Sequence, residues 1–309
     1  MNNTAQSLTA PDRRTGATPP LWGPWLQGVS PQSFFLVSAV FHYLGPAFAV
    51  LLFAHLDVLG VAWLRIAAAA TLFAVWRRPW RLFARVDRRE RVLLAQLGTV
   101  LAAMNAVFYL AVARLPLATV GAIEFLGVVL LATAGAKTPR NAAALGLTIC
   151  GVAALTDLRL AGQPLGFAFA FGNCALFLLY VVLGHRIANT DAGTGAMSGI
   201  DQLGAAMLVA ALVVTPVGLA GALAAFVHPV LLLAGVGVGL CSSVIPYVTD
   251  QLAMARLPRA TFALMLALLP MLGTIIGAVV LRQLPTIQDL FGIALVVAGV
   301  ALHHPDRGA

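Results

Sequence analysis

The chain is divided into about ten apolar runs, and this division limits what it can fold into. A helix needs about 20 apolar residues to cross the hydrocarbon core of a bilayer. The runs cover residues 32–54, 58–76, 92–113, 117–136, 142–158, 164–184, 195–216, 229–249, 260–281 and 286–303. Only 10% of the residues are charged, whereas soluble domains carry about 25%. The pattern predicts an all-α membrane protein with about ten transmembrane helices.

The basic residues lie mainly in the gaps between the runs, and they predict how the chain is oriented. With the N-terminus inside, 15 of the 19 Lys and Arg residues fall in cytoplasmic segments and three fall outside. This asymmetry is typical of plasma-membrane proteins and places both termini in the cytoplasm. We expect residues 1–31 and 304–309 to be cytoplasmic tails, the first of them disordered. The net charge of +8 does not indicate nucleic-acid binding, because the basic residues form no single patch.

A short motif occurs twice, which predicts an internal repeat. Ala113-Arg114-Leu115-Pro116 recurs as Ala255-Arg256-Leu257-Pro258, 142 residues later. The offset covers five spans, an odd number, so the second copy is inserted upside down. We therefore predict two inverted five-helix repeats, residues 32–160 and 161–303, around a central cavity. Inverted repeats that enclose a midplane site are typical of transporters.

Two charged residues within the runs are candidates for the site. A central Arg costs roughly 2.5–3.5 kcal/mol on insertion scales, so it usually lines a cavity or is paired. Arg65 either binds an anionic substrate or is a structural tether to a carbonyl or carboxylate of another helix. Glu124 is either a proton carrier, because burial disfavours the charged form of a carboxyl group, or a packing carboxyl bonded to a neighbouring helix.

A third candidate carboxylate closes a polar face in the eighth run. Ser243, Tyr247 and Asp250 have the spacing i, i+4, i+7, which places them on one side of a helix. Pro246 frees a backbone carbonyl there and is expected to kink the helix. Asp250 is a candidate for proton coupling, with a solvated position at the cytoplasmic interface as the alternative.

Uncharged polar residues complete the predicted site. Asn105 and Tyr109 share a helix face, and the repeat offset brings them onto Tyr247 and Gln251 in the other half. Each is a candidate to bind substrate, although such residues also form helix–helix hydrogen bonds. Similar candidates are His42 and Tyr43, which precede Gly45-Pro46, and, more weakly, Asn173, Tyr180 and Asp201.

The sequence predicts no cofactor, metal or catalytic residue. It contains no P-loop, dinucleotide fingerprint, zinc motif or nucleophile elbow. Cys150, Cys174 and Cys241 lie inside apolar runs and are expected to be small buried hydrophobes. The predicted partners are a small-molecule substrate and the lipid bilayer, with the protein a monomer or homodimer.

The chain resembles the drug/metabolite transporter superfamily in its ten-helix EamA-type branch, and it is most similar there to inner-membrane exporters of threonine and homoserine. The resemblance covers residues 32–303 and rests on Gly45-Pro46, Trp63-Leu64-Arg65, Met104-Asn105, Phe108-Tyr109-Leu110, Arg114-Leu115-Pro116, Glu124-Phe125, Ser242-Ser243, Pro246-Tyr247, Arg256-Leu257-Pro258 and Thr261-Phe262. It implies two inverted five-helix repeats around a cavity and export that is often driven by protons. Two departures are Leu269-Pro270, where many relatives have Glu-Pro, and Val128, where related exporters tend to have proline.

The resulting hypothesis is a plasma-membrane secondary transporter that exports a small polar metabolite, with an amino acid as the first candidate. In this hypothesis Arg65 attracts the substrate carboxylate, Asn105, Tyr109 and Tyr247 donate or accept hydrogen bonds, and Glu124 and Asp250 exchange protons. One alternative is a carrier of drugs, nucleosides or lipid-linked sugars with the same fold. The other is an intramembrane enzyme, which would need a nucleophile–base pair or clustered acids that the runs do not display.

Overall fold

The computed structural model describes residues 29–135, 138–156, 163–190, 199–254, 256–257, 265 and 268–302. Every regular element in these ranges is a helix. The helices are α1 Pro31–Leu52, α2 Val58–Arg77, α3 Trp80–Arg85, α4 Arg88–Val112, α5 Leu117–Gly135, α6 Pro139–Thr156, α7 Pro164–Thr190, α8 Gly199–Val227, α9 Pro229–Gly239, the π-helical turn Leu240–Val244, α10 Ile245–Met254, α11 Leu269–Leu281 and α12 Ile287–Leu302. The ends of both predicted tails, the boundary at residues 160–161 and Thr261-Phe262 lie outside the described residues.

Membrane-length apolar helices dominate these ranges, and they confirm the prediction of an all-α membrane protein. Six helical segments are long and apolar enough to cross a bilayer, and four more apolar helices are shorter in their described parts. These ten correspond to the ten apolar runs, with α9, the π-helical turn and α10 forming one span. Large apolar side chains such as Leu212, Val217 and Val279 are exposed, as expected where the solvent is lipid.

Side chains at the helix ends explain several of the boundaries. Asp57 caps α2 by accepting a hydrogen bond from the Leu59 amide. Asp87 and Glu90 form a capping box that begins α4. Arg78 and Arg282 follow α2 and α11 in the left-handed conformation (φ 51° and 54°), which ends both helices.

Two features differ from the predicted boundaries. The seventh span was predicted to end at residue 216, but α8 continues to Val227 with Pro216 inside it. A proline in a membrane helix is tolerated because neighbouring groups satisfy the freed carbonyl. The short helix α3, Trp80–Arg85, was not predicted, because six residues are too few to show a hydrophobic period.

Most of the packed helix pairs map onto other packed pairs if α1, α2, α4, α5 and α6 correspond to α7, α8, the α9–α10 span, α11 and α12. Helix α4 packs on α7 and α8, and the α9–α10 span packs on α1 and α2. Helices α2 and α8 pack on each other, as do α6 and α12. This pattern places α1, α2, α4, α5, α7 and the α9–α10 span around the interior where the candidate residues lie.

Glycines allow α2 to approach α8 closely and α6 to approach α12 closely. A Cβ atom on Gly60 of α2 would meet the backbone of Gly221 in α8. A Cβ atom on Gly151 of α6 would lie 2.6 Å from the carbonyl oxygen of Gly292 in α12. Small residues at such contacts let helix backbones approach each other in lipid, where van der Waals packing drives association.

Candidate functional site

Arg65 lies in the interior of the bundle and is bound to the span opposite it. Its side chain is 7% exposed. Its Nε donates to Ser243 Oγ at 3.1 Å and one terminal nitrogen donates to the Ser242 carbonyl at 3.0 Å. Both acceptors are neutral. The structural tether to a carbonyl, which was one of the two roles predicted for Arg65, is therefore present. These two bonds use two of the five N–H donors of a guanidinium.

Proline explains why the Ser242 carbonyl is free to bind Arg65. In a regular helix that carbonyl would accept from the amide four residues later, which is position 246. Pro246 has no N–H, so the carbonyl needs another donor. The helix widens into the π-helical turn Leu240–Val244 just before this proline, and such turns often occur at functional sites. The predicted disruption of this span is therefore present as a π-helical turn.

Tyr109 forms the wall beside Arg65. The guanidinium carbon lies 5.4 Å from the centroid of the Tyr109 ring, which is within cation–π range. Tyr109 is fully buried, and its hydroxyl has no hydrogen-bond partner among the described residues. Asn105, one turn away, is 2% exposed, and its amide donates to the Leu101 carbonyl of its own helix at 2.8 Å. Asn105 therefore lies next to Tyr109 on α4, and its side-chain nitrogen already has a hydrogen-bond acceptor.

Glu124 is bonded to a helix of the other predicted repeat. Its Oε2 accepts a hydrogen bond from Asn173 Nδ2 at 2.9 Å, which links α5 to α7. Asn173 is 1% exposed, and its Oδ1 has no partner among the described residues. Tyr43 of α1 lies close by, because a Cβ on Gly121 would be 2.7 Å from its hydroxyl oxygen and one on Gly273 would be 2.8 Å from its ring. Small residues on α5 and α11 thus make room for Tyr43 near Glu124.

His42, Tyr247 and Asp250 line the same interior from α1 and α10. The His42 and Tyr43 rings meet edge to face, with centroids 5.5 Å apart. Arg65 lies within electrostatic range of His42, Tyr109, Glu124 and Tyr247, so these side chains occupy the same part of the interior.

Asp250 lies one turn beyond Tyr247 on α10, next to Ser38. The Ser38 hydroxyl donates to the Pro246 carbonyl at 3.2 Å and lies beside the Asp250 carboxyl. Tyr180 is within electrostatic range of Asp250 and Tyr247. Sequence reasoning did not identify Ser38. Its position one turn before His42 on the same face of α1 was the signal that could have found it.

One of the weaker candidates lies elsewhere. Asp201 begins α8 and forms a two-pronged ion pair with Arg77, at 2.8 Å and 3.0 Å. Gln251 was the repeat partner of Tyr109, and its side chain is outside the described set. Within the described residues, no group of three or more His, Cys, Asp or Glu side chains could hold a metal ion.

A separate cavity of about 170 Å³ lies beside the α4–α5 and α11–α12 connections, away from the residues predicted for the site. It is bounded by Pro116, Thr119, Thr274, Gln283 and Asp289, among others. The polar groups there have structural partners: Gln283 Oε1 accepts from the Leu117 amide, and Asp289 exchanges two bonds with Thr286 at the start of α12. The polar interior around Arg65 and Glu124 is therefore the candidate site.

Fold and site together define a multi-pass membrane protein with a buried polar centre lined by several helices. The curated relatives that this chain matches are named as exporters. The chain is 29% identical over 260 residues to "Threonine/homoserine exporter RhtA" of Escherichia coli (strain K12), covering 82% of this chain and 84% of that protein. It is 28% identical, with the same coverage, to the protein of that name from Salmonella typhimurium (strain SL1344).

Other comparisons concern the fold. A crystal structure of a protein matches 88% of this chain and 96% of its own chain, with a TM-score of 0.55 and 19% identity. That likeness shows a shared fold alone. No family model matches the chain. The resemblance to EamA-type transporters of the drug/metabolite superfamily is supported by the two exporters, to which this chain is similar.

Proposed function

We propose that the protein is a secondary transporter of the inner (plasma) membrane that exports a small polar metabolite, an amino acid such as threonine or homoserine first among them. The names of the relatives support this choice of substrate, and the asymmetry of Lys and Arg supports cytoplasmic termini. Export follows if the two predicted repeats rock about the buried polar centre and expose it to each side in turn. The unit that does this is a monomer or homodimer.

One observation carries the proposal: Arg65 is buried at the centre of the bundle and is held by neutral groups. A buried guanidinium that is hydrogen-bonded to a hydroxyl and a carbonyl keeps its full positive charge. Among the described residues, no carboxylate forms an ion pair with Arg65. A carboxylate substrate supplies the missing negative charge and takes the remaining N–H donors in a fork-like geometry.

The polar groups around Arg65 give the substrate further contacts. Tyr109 offers a buried hydroxyl, and Tyr247 and His42 lie in the same electrostatic environment. Asn105 lies one turn from Tyr109 on α4 and contributes its amide oxygen, since its nitrogen already donates to Leu101. These groups orient a small polar molecule whose carboxylate is held by Arg65.

Glu124 and Asp250 are the proposed proton carriers. Both are carboxyl groups in the interior, where burial favours the neutral form and makes proton release dependent on access to water. Glu124 lies between α5 and α7, and Asp250 lies on α10 beside Ser38. Their positions on different helices allow them to be exposed in different stages of the transport cycle.

The test is efflux from proteoliposomes loaded with labelled threonine or homoserine, with and without an imposed proton gradient. We expect an inward proton gradient, with the outside more acidic than the vesicle lumen, to drive efflux of the amino acid by the wild-type protein. Glu124→Gln keeps the size and one acceptor oxygen but has no proton to exchange, and we expect it to lose the response to the gradient. A Glu124→Gln protein that still pumps at the wild-type rate would remove the proton role. A panel of nucleosides and drugs in the same assay distinguishes this substrate class from the other cargoes.

A further inference from the structure

Three buried polar atoms lack a hydrogen-bond partner among the described residues, and all three lie around the candidate site. They are Tyr109 Oη, Ser242 Oγ and Asn173 Oδ1. A buried polar group without a partner costs about 1–3 kcal/mol, so such groups are rare unless a ligand or water binds them. Two of them lie beside Arg65 and the third lies beside Glu124, so a molecule bound between these residues would supply the missing partners.

Two of the three atoms lie on the Arg65 side, where the Tyr109 hydroxyl is close to the Ser242 and Arg65 side chains but makes no hydrogen bond of normal geometry with them. Both hydroxyls can donate. The Tyr109 ring is stacked against the Arg65 guanidinium, and Ser242 is the residue whose carbonyl Arg65 binds. A hydroxyl donates one hydrogen bond, and a guanidinium only donates. This end of the site therefore offers several donors and a positive charge, which is the complement of a carboxylate.

The third atom lies on the Glu124 side, and it can only accept. The amide of Asn173 turns its NH₂ group toward Glu124, which is the orientation that an ionised Glu124 requires, since a carboxylate accepts and does not donate. This orientation leaves Asn173 Oδ1 as a buried acceptor next to an acidic side chain. Once Glu124 has released its proton, this end of the site combines acceptors with a negative charge, which is the complement of an ammonium group.

The two ends lie at comparable depth. Arg65 and Glu124 are each seven residues after the first residue of α2 and α5, and Asn173 is nine residues after the first residue of α7. Alternate spans begin on the same side of the membrane, and a helix rises 1.5 Å per residue. These three side chains therefore lie roughly 10–14 Å from the same face. The Arg65 charge also acts on Glu124, which places both ends in one polar space.

We infer that the site recognises both charged groups of a zwitterionic α-amino acid. Its carboxylate binds Arg65, Tyr109 and Ser242, and its ammonium binds Glu124 and Asn173. This inference rests on the proposed function and adds the amine end to it. In this assignment Asn173 contacts the substrate directly through Oδ1 and orients Glu124 through Nδ2.

The test measures how well three molecules inhibit threonine transport in proteoliposomes. L-Threonine has both charged groups, 3-hydroxybutyrate lacks the amine, and threoninol lacks the carboxylate. For the wild-type protein we expect each analogue to inhibit at least about tenfold more weakly than threonine, since each loses a charge-assisted contact.

Variants on the Arg65 side and on the Glu124 side of the site should then distinguish loss of the carboxylate contact from loss of the ammonium contact. Asn173→Leu removes both polar atoms at similar size, and we expect threonine to bind about tenfold more weakly while the weak inhibition by 3-hydroxybutyrate does not change. Tyr109→Phe should weaken threonine and 3-hydroxybutyrate by a similar factor and leave threoninol unaffected. Thr99→Val, on an exposed part of α4, is the control and should change none of the three.

The outcomes are distinguishable. If Asn173→Leu weakens threonine and 3-hydroxybutyrate equally, Asn173 acts only on the structure and the amine site is wrong. If the wild-type protein transports threonine and binds 3-hydroxybutyrate just as well, the inference fails and the proposed function stands. If the wild-type protein does not transport threonine or homoserine at all, both fail. Should Asn173→Leu not give a single peak on size-exclusion chromatography, Asn173→Ala, which also removes both polar atoms and leaves more room, takes its place with the same expected pattern.

Discussion

Helix α2 carries two arginines near its middle and its end, and their surroundings differ in a way that separates function from architecture. Arg77, the last residue of the helix, forms a two-pronged ion pair with Asp201, and the two side chains are 19% and 28% exposed. Arg65, three turns earlier, is 7% exposed and is held by the hydroxyl of Ser243 and the carbonyl of Ser242.

The difference concerns charge. At Arg77 a carboxylate of the chain satisfies the guanidinium, so the pair fixes α2 against α8 and leaves little for a solute to bind. At Arg65 the neighbouring helices supply dipoles and an aromatic face, which position the group but leave its charge unbalanced in a low-dielectric setting. Leaving a charge unbalanced inside a membrane protein is costly, and a site for an anionic group explains why the chain has one there.

Replacement of the two arginines should give the largest contrast. Arg65→Gln should reduce threonine export about 10–100-fold, because it removes charge-assisted hydrogen bonds to the carboxylate and leaves the Ser242 carbonyl unsatisfied. Arg65→Lys keeps the charge but not the planar fork, and it should recover only part of the activity. Arg77→Gln is the matched control and should keep export within about twofold of wild type. Equal losses at both positions in the efflux assay would contradict a special role for Arg65.

The second contrast tests the packing around the Arg65 anchor, by which we mean the hydrogen bonds of Arg65 to Ser242 and Ser243. A Cβ on Gly45 of α1 would collide with Ser242, whereas a Cβ on Gly237 of α9 would meet nothing within 4 Å. Gly45→Ala should therefore destabilise the protein by about 1–3 kcal/mol by overpacking. Gly237→Ala lies in the same span and should be neutral or slightly stabilising, because alanine favours the helix. Thermal unfolding in detergent measures both, and a neutral Gly45→Ala would show that α1 and the α9–α10 span pack less closely than described.

The third contrast tests whether proline keeps the Ser242 carbonyl available. Pro246→Ala restores an amide that can bond to this carbonyl, so it competes with Arg65. We expect the apparent affinity for threonine to fall about fivefold, the size of one hydrogen bond, with the maximal rate less affected. Pro216→Ala in α8 is the control, because that proline also lies inside a helix but away from the Arg65 anchor. An unchanged affinity for Pro246→Ala would show that Arg65 does not depend on the disrupted helix.

The sequence predicted the arrangement of helices well because few physical rules govern it. Apolar length alone placed the ten spans, and the spacing of Ser243, Tyr247 and Asp250 placed three residues on one face of a span. It also predicted a carbonyl freed by Pro246. It could not predict that Arg65 takes this carbonyl, since the pairing joins residues 177 positions apart and depends on how α2 meets the α9–α10 span.

Sequence reasoning was weaker for residues whose role depends on a buried polar atom that has no hydrogen-bond partner. Asn173 was a minor candidate because an asparagine in a membrane helix usually bonds to a neighbouring helix. It does so here with one atom and leaves the other unsatisfied, which only the three-dimensional arrangement reveals. Asp201 had the same standing in the sequence, and the ion pair with Arg77 accounts for it structurally. Ser38 was not considered, because a small hydroxyl on an apolar helix is not distinctive.

The smallest expected effect concerns the Arg77–Asp201 pair, whose role in the comparison with Arg65 is purely structural. A double-mutant cycle with Arg77→Gln and Asp201→Asn should give a coupling energy of up to about 1 kcal/mol, because the pair is partly exposed and its desolvation cost offsets the attraction. Thermal unfolding of the four proteins in detergent measures this coupling, and raised salt should reduce it. The same four proteins should export threonine with unchanged affinity, since neither residue contacts the candidate site. A coupling that appears in substrate affinity rather than in stability would mean that both arginines of α2 serve the substrate, and the division between them would be wrong.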